Sequence, residues 1–248
     1  MAEVARAERE PGRRAFVEHV MGMPVSIHVR GAVEGRDLEV GVEQAFAHLR
    51  KVDTVLSLWR PDSDLMRSLR GELPTRSQHP WLQEVRDLCT LAERRTGGLF
   101  SALATPDGSY DPTGLVKGWA VEGASQYLHH VPGISYCLNA GGDLVAGAGT
   151  GATASTWRIG IEDPRDRSRV AAAVDLTAGG LATSGAAARG AHIRDPRTGA
   201  GVDRAGSATV WGPSLLWADV WATALFVDPT EGEARLRAEA PAYRSLLL

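Results

Sequence analysis

The sequence predicts an α+β domain in which a largely antiparallel or mixed sheet carries flanking helices. Three observations point there. The 248 residues are 44% hydrophobic, enough to bury one large core. Two stripes of apolar residues in the first half recur every three or four positions, as in helices with one buried face. The second half alternates short apolar runs with Gly-rich turns, so its strands meet through turns, which fits an antiparallel α+β domain better than a doubly wound sheet. No internal repeat or long linker divides the chain. Residues 1–14 read as a charged, disordered tail and 15–248 as the domain.

Phe16, Val17 and Val20, followed by Val25-Ser26-Ile27-His28-Val29, show the period-two alternation of a half-buried strand. Leu38, Val42, Ala45, Phe46, Leu49 and Val52 form the first helical stripe, on which His48 reads as a surface histidine. Leu56 to Arg60 reads as a short strand, closed by Pro61-Asp62-Ser63-Asp64, where Ser63 can cap a turn running through Met66. A second helix opens at Pro80, turns Trp81, Leu82, Val85, Leu88, Cys89 and Ala92 inward, and stops at Gly97-Gly98. A third is expected from about Leu115 to Leu128. Strands follow at Ser135 to Asn139, Leu144 to Ala146, Trp157 to Ile161, Ala172 to Leu176, Leu181 to Ser184 and Ala208 to Trp211. Helices from Pro213 to Phe226 and from about Thr230 to Ala240 close the chain.

A net charge of -3 and a pI near 6.2 supply no footprint for a nucleic acid backbone. Cys89 and Cys137 have neither disulfide nor zinc spacing and read as buried thiols. No signal-peptide pattern opens the chain and no window holds the roughly 18 apolar residues of a membrane span, so a cytoplasmic location is expected. Among 27 basic residues only Lys51 and Lys117 are lysines, which singles out Lys117 as a compact point charge kept in an arginine-rich chain.

Tyr110-Asp111-Pro112-Thr113-Gly114-Leu115-Val116-Lys117-Gly118 opens a helix with a carboxylate, two glycines and that lysine. Free N–H donors and the positive dipole end at a helix N-terminus suit a phosphate, to which Lys117 would add a full charge. The alternative is that Asp111 caps the helix and Lys117 is solvated. The run is not a Walker A loop, because its spacing is absent. Asp219 and Thr223 stand four apart on a helix, with both oxygens on one face in apolar surroundings. A buried carboxylate must be paired, and a divalent cation or an arginine could do so. His192 lies in a loop-like run and is either a general base near neutral pH or a histidine bonded to strand backbone. Asn139-Ala140-Gly141-Gly142-Asp143 reads as a hairpin turn or a close backbone approach to a ligand. Thr183-Ser184-Gly185 lacks the elbow of a serine hydrolase.

Taken in order, these segments resemble the ApbE family of FAD:protein FMN transferases. Met21-Gly22-Met23 is similar to the family's Met-Gly-Thr, and Ser57 to Leu65 to its serine, aromatic, Asp-Ser-Glu-Leu segment. Asp111 to Gly118 is similar to Asp-Leu-Gly-Gly-Ile-Ala-Lys-Gly, Asn139 to Asp143 to Asn-Ala-Gly-Gly-Asp, and Ala182 to Gly185 to Ala-Thr-Ser-Gly. His192 to Gly199 is similar to His-Ile-Ile-Asp-Pro-Arg-Thr-Gly, and Ala218 to Thr223 to Ala-Asp-Ala-Leu-Ala-Thr. The chain departs at Pro112 and Thr113, at Gly185-Ala186-Ala187-Ala188-Arg189, and at Phe100-Ser101-Ala102. The resemblance implies an ApbE-like, T-fold-like domain that uses FAD as substrate with Mg²⁺, moves FMN onto a threonine of a target flavoprotein and releases AMP. It also implies that Gly114, Asp219 and Thr223 hold the metal. FAD would contact Met21, Trp59, Leu99, Phe100, Ser101, Asp111, Lys117, His192 and Ile193, and His192 and Lys117 would be catalytic. Two further functions are compatible with these residues: an Mg²⁺-dependent FAD pyrophosphatase and an FAD-binding carrier without turnover.

Overall fold

The computed structural model describes residues 12–31, 33–185 and 193–248. The tail expected at 1–14 falls on residues 1–11 outside this set, while Arg13 and Arg14 already belong to the first strand. The main sheet is built from β1 (Arg13–Val20), β2 (Met23–Gly31), β3 (Ile134–Ala140), β4 (Asp143–Ala148), β7 (Gly179–Gly185), β8 (Ser207–Gly212) and β9 (Arg244–Leu247), in that spatial order. Each neighbouring pair is antiparallel. A separate two-stranded ribbon consists of β5 (Trp157–Asp163) and β6 (Asp166–Leu176), also antiparallel.

Among the described residues, all six α-helices are inserted between strands of the main sheet. α1 (Arg36–Leu56), α2 (Asp64–Leu69), α3 (Pro80–Thr96) and α4 (Thr113–His129) separate β2 from β3, and α5 (Leu215–Val227) and α6 (Pro229–Glu239) separate β8 from β9. Consecutive residues of a strand point to opposite faces, which explains the apolar run of the central strands. Ile134, Tyr136, Leu138 and Ala140 of β3 join the core under the helices, whereas Cys137 between them faces the cluster formed with Trp157, Ile161, Val174 and Leu176 of the ribbon. Both faces are covered, so nearly every residue of β3 and β4 is buried. Cys89 belongs to the helical core and Cys137 to the ribbon side, and both are free and buried as expected.

The boundaries follow local chemistry. Ser63 Oγ accepts the Met66 N–H at 3.0 Å and starts α2. Gly97 takes a left-handed conformation, φ 63°, and ends α3. Among the described residues no helix is long and apolar enough to cross a membrane.

Three expectations need correction. Leu56–Arg60 is not a strand: Val55 and Leu56 continue the α1 stripe, and Ser57 breaks the helix by adopting an extended conformation. His48 is not a plain surface histidine. Its ring lies 5.4 Å from Trp81, 5.8 Å from Tyr127 and 6.2 Å from Trp119, and its Nε2 is buried without a hydrogen-bond partner. The charged neighbours in sequence hid this, because α3 and α4 supply the rings. The chain does not end on a helix, since Arg244–Leu247 pairs with β8 as the edge strand β9. A four-residue strand carries too short an alternation to stand out in sequence.

Candidate functional site

A cavity of about 640 Å³ opens where the N-terminus of α4, the middle of α5, the β1–β2 turn and the loop after α3 converge. Met21, Trp59, Leu99, Phe100, Ser101, Asp111, Gly114, Lys117, Ile193, Asp219 and Thr223 all line it. These are all the sequence-derived site positions that fall among the described residues; His192 lies outside them.

The approach of α4 to α5 sets the floor of the cavity. A Cβ on Gly118 would stand 3.0 Å from the Leu215 carbonyl and 3.1 Å from Asp219 Cβ, so glycine lets the two helices pack nearly backbone to backbone. Gly180 of β7 has the same function beneath α5, where a Cβ would lie 2.3 Å from Leu215 Cα. α5 is apolar all round and therefore buried. Asp219, with 4% exposure, is the charge that this packing takes out of water.

Lys117 meets two carboxylates. Its ammonium forms an ion pair with Asp143 and lies 3.8 Å from Asp219. Asp143, with 1% exposure, also accepts the Thr183 N–H at 3.1 Å, which fixes the β4 end of the pair against β7. Thr223 and Ser184 share a hydrogen bond of 3.2 Å between hydroxyls, and Ser184 lines the same cavity. Carboxylate and hydroxyl oxygens are hard donors of the kind Mg²⁺ takes, so the chemistry of this donor set fits the ion. Among the described residues no group of three or more His, Cys, Asp or Glu side chains could hold a metal. A cation here would draw on hydroxyl, carbonyl and ligand oxygens beside Asp219.

At the start of α4, Asp111 Oδ1 accepts the Thr113 N–H at 2.9 Å and the Thr113 hydroxyl at 2.6 Å. Its own N–H donates to the Ala102 carbonyl at 2.7 Å, tying the start of α4 to the loop after α3. The N-cap position of α4 is Pro112, so Asp111 is not the cap; it accepts from the first helical residue one position further out while also lining the cavity. Gly114 matters for spacing: a Cβ there would come within 3.3 Å of the Phe100 ring.

The rim has two unusual residues. Met21 and Gly22 form the two-residue β1–β2 turn with φ of 55° and 74°, and Met21 is the one non-glycine with positive φ among the described residues. Such a conformation costs about 1 kcal/mol or more for a side chain with a Cβ, and here that strain sits at the cavity. Trp59, 78% exposed, is displayed by the 57–63 turn, which is closed by a Ser63 hydroxyl bond to the Ser57 carbonyl at 2.7 Å.

The loop bearing Ile193 is pinned from behind. Arg197 binds Asp195 through two nitrogens at 2.8 and 3.0 Å, Asp228 at 3.2 Å and Glu231 at 3.0 Å, which holds the loop to the N-terminus of α6. Side-chain hydrogen bonding to Arg197 keeps the Asp195 carboxyl below the usual range.

Sequence reasoning missed Asp143, which it placed in a hairpin. The hairpin is real, with Gly141 and Gly142 at φ 62° and 99° between paired Ala140 and Asp143. The overlooked signal was a carboxylate opening an otherwise apolar strand. Arg194 and Ser184 were also missed as cavity-lining residues.

The family model described as the ApbE family matches residues 102–246. A curated FAD:protein FMN transferase of Salmonella typhimurium is 31% identical over 147 residues, covering 55% of this chain and 42% of that protein. The Escherichia coli (strain K12) protein of the same name is 33% identical over 152 residues, covering 57% of this chain and 40% of that one. The alignments thus span less than half the length of these relatives. Among solved structures, the ApbE protein of Thermotoga maritima superposes with a TM-score of 0.78 at 18% identity, covering 95% of this chain and 94% of that one. The Pseudomonas stutzeri flavinyl transferase ApbE, apo form, gives a TM-score of 0.76 at 21% identity, covering 99% and 94%. These likenesses establish a shared α+β fold.

Proposed function

Because the chain belongs to the ApbE family, we propose that it is an Mg²⁺-dependent FAD:protein FMN transferase, whose partners are FAD and a target flavoprotein with an acceptor threonine. The observation that carries this reading is the convergence of every described site position on one cavity. Its volume lies in the range that buries a small-molecule ligand.

In this reading Asp219, Thr223 and the Gly114 carbonyl would hold Mg²⁺. An ion held by these residues would supply positive charge against the FAD pyrophosphate. Lys117 adds a fixed positive charge, and the α4 N-terminus adds N–H donors. Trp59 and Met21 at the rim and Leu99, Phe100 and Ser101 behind them bind and orient the flavin, while Asp111 and the Ile193 segment complete its contacts. The acceptor hydroxyl oxygen attacks the phosphorus of the FMN half and the bond from that phosphorus to the bridging oxygen breaks. AMP leaves with that oxygen, and His192 takes the hydroxyl proton. Positioning supplies much of the acceleration.

The test is incubation with FAD and Mg²⁺, with and without a peptide carrying an Asp-Gly-x-x-Gly-Ala-Thr-like acceptor. Transfer predicts FMN covalently on the threonine and one AMP released per FMN transferred. Free FMN and AMP irrespective of peptide would make the protein a pyrophosphatase, and bound, unchanged FAD would make it a carrier; either result overturns the transfer reading.

A further inference from the structure

The N-terminus of α5 is held by residues remote in sequence. Ser214, its N-cap, donates its hydroxyl to Glu122 Oε2 at 2.7 Å, and the same oxygen accepts the Leu216 N–H at 2.9 Å. The Tyr243 hydroxyl accepts the Ser214 N–H at 3.2 Å, which ties the cap to the C-terminal segment as well. Ser214 alone would supply an ordinary cap. Glu122 adds a carboxylate at the positive end of the helix dipole.

Position gives this carboxylate a second consequence. Glu122 lies on α4 one turn beyond Gly118 and two turns beyond Gly114. Along α4 from Gly114 to Glu122 the contacts on α5 run in the opposite direction. Lys117 faces Asp219, Gly118 abuts Leu215, Leu216 and Asp219, and Glu122 meets Ser214 and Leu216. The helices are therefore antiparallel, with the cavity at one end of their interface and Glu122 at the other. The middle is apolar contact around Gly118, and apolar contact carries no direction. A slip of one residue along a helix shifts side chains by about 1.5 Å and turns them by about 100°, enough to carry Asp219 and Thr223 out of the cavity wall that they share with Gly114. The hydrogen bonds at Glu122 add directional contacts at the end of the interface remote from the Lys117–Asp219 pair, and so oppose such a slip from the other side.

We propose that Glu122 is a positioning residue for the cation site, setting the axial register of α5 against α4. This inference rests on the metal assignment made above. The test compares wild type, Glu122→Gln and Glu122→Ala by calorimetric Mg²⁺ titration, by FAD binding in EDTA, and by thermal melting in EDTA. Glu122→Ala should raise the Mg²⁺ dissociation constant on the order of tenfold, the size of effect seen when an outer partner of a metal ligand is removed. Glu122→Gln, whose amide oxygen still accepts a bond, should raise it less. FAD binding in EDTA should stay within about twofold of wild type in both. A lowered melting temperature with unchanged Mg²⁺ affinity would reduce Glu122 to a stabilising cap and overturn the proposal. If Glu122→Ala does not fold, Glu122→Gln decides: an unchanged Mg²⁺ constant overturns the inference. No Mg²⁺ uptake by wild type would instead remove the metal assignment, and this inference with it.

Discussion

Asp143 and Asp219 face the same ammonium from two different elements, and both are almost fully removed from water. Their losses should have different signatures. Asp143→Asn takes away the ion-pair partner of Lys117 while keeping the shape, so it should destabilise the fold by about 2 kcal/mol; the known cost of breaking a buried pair is discounted here because Lys117 is partly exposed. Urea denaturation checks this, and a midpoint equal to that of wild type would show that the pair contributes nothing. Under the proposed function, Asp219→Ala should abolish Mg²⁺-dependent release of AMP from FAD while the melting temperature in EDTA changes little; turnover at the wild-type rate would remove Asp219 from the proposed metal site. At this scale the sequence was informative in proportion to how unusual a residue was for its surroundings. Asp219 stood out as a charge in an apolar helix and Lys117 as a rare lysine. Asp143 did not stand out, because its neighbours Gly141 and Gly142 explained it as part of a turn.

Among the elements, α1, α3 and α4 meet in an aromatic cluster around His48. Burial lowers the His48 pKa from its ordinary 6.5, so folding favours the neutral ring. As pH falls through 6.5 the unfolded chain takes up the proton first, so stability declines between 6.5 and the lower folded value and levels off below it. His28, lowered first by burial and then by the charge of Arg30, acts in the same direction. The melting temperature measured from about pH 7.5 to about pH 5 should therefore drop less in His48→Phe than in wild type. Equal drops would show that the cluster leaves His48 free to titrate normally. The helix pattern of α1 was legible, with its buried stripe at Leu38, Val42, Ala45, Phe46, Leu49 and Val52. What its polar face touches was not, because Trp81 and Trp119 lie on other helices.

Across the whole molecule, the main sheet separates a helical layer that builds the cavity from a ribbon that builds a smaller core on the opposite face. The ribbon contributes no residue to the cavity wall. Trp157 anchors it, buried beneath the Arg30 guanidinium, which lies 4.0 Å from its ring centre. Trp157→Ala should cost about 3 kcal/mol, as large-to-small changes in a core do, and leave FAD affinity within about twofold. A parallel loss of FAD affinity, measured by flavin fluorescence titration, would show that the two faces are coupled. The sequence by itself determined the elements: strands from period-two alternation, helices from stripes at three and four, and turns from glycine, because each depends on neighbours within a few residues. It also determined the family, through motifs whose order survives when each is individually modest. Only the tertiary structure decided that Asp143 pairs with Lys117, that Glu122 caps a helix 92 residues downstream, and that Met21 carries its strain at the cavity. Such contacts join positions far apart in the chain, and their geometry arises only when Gly118 and Gly180 let α5 settle between α4 and the sheet.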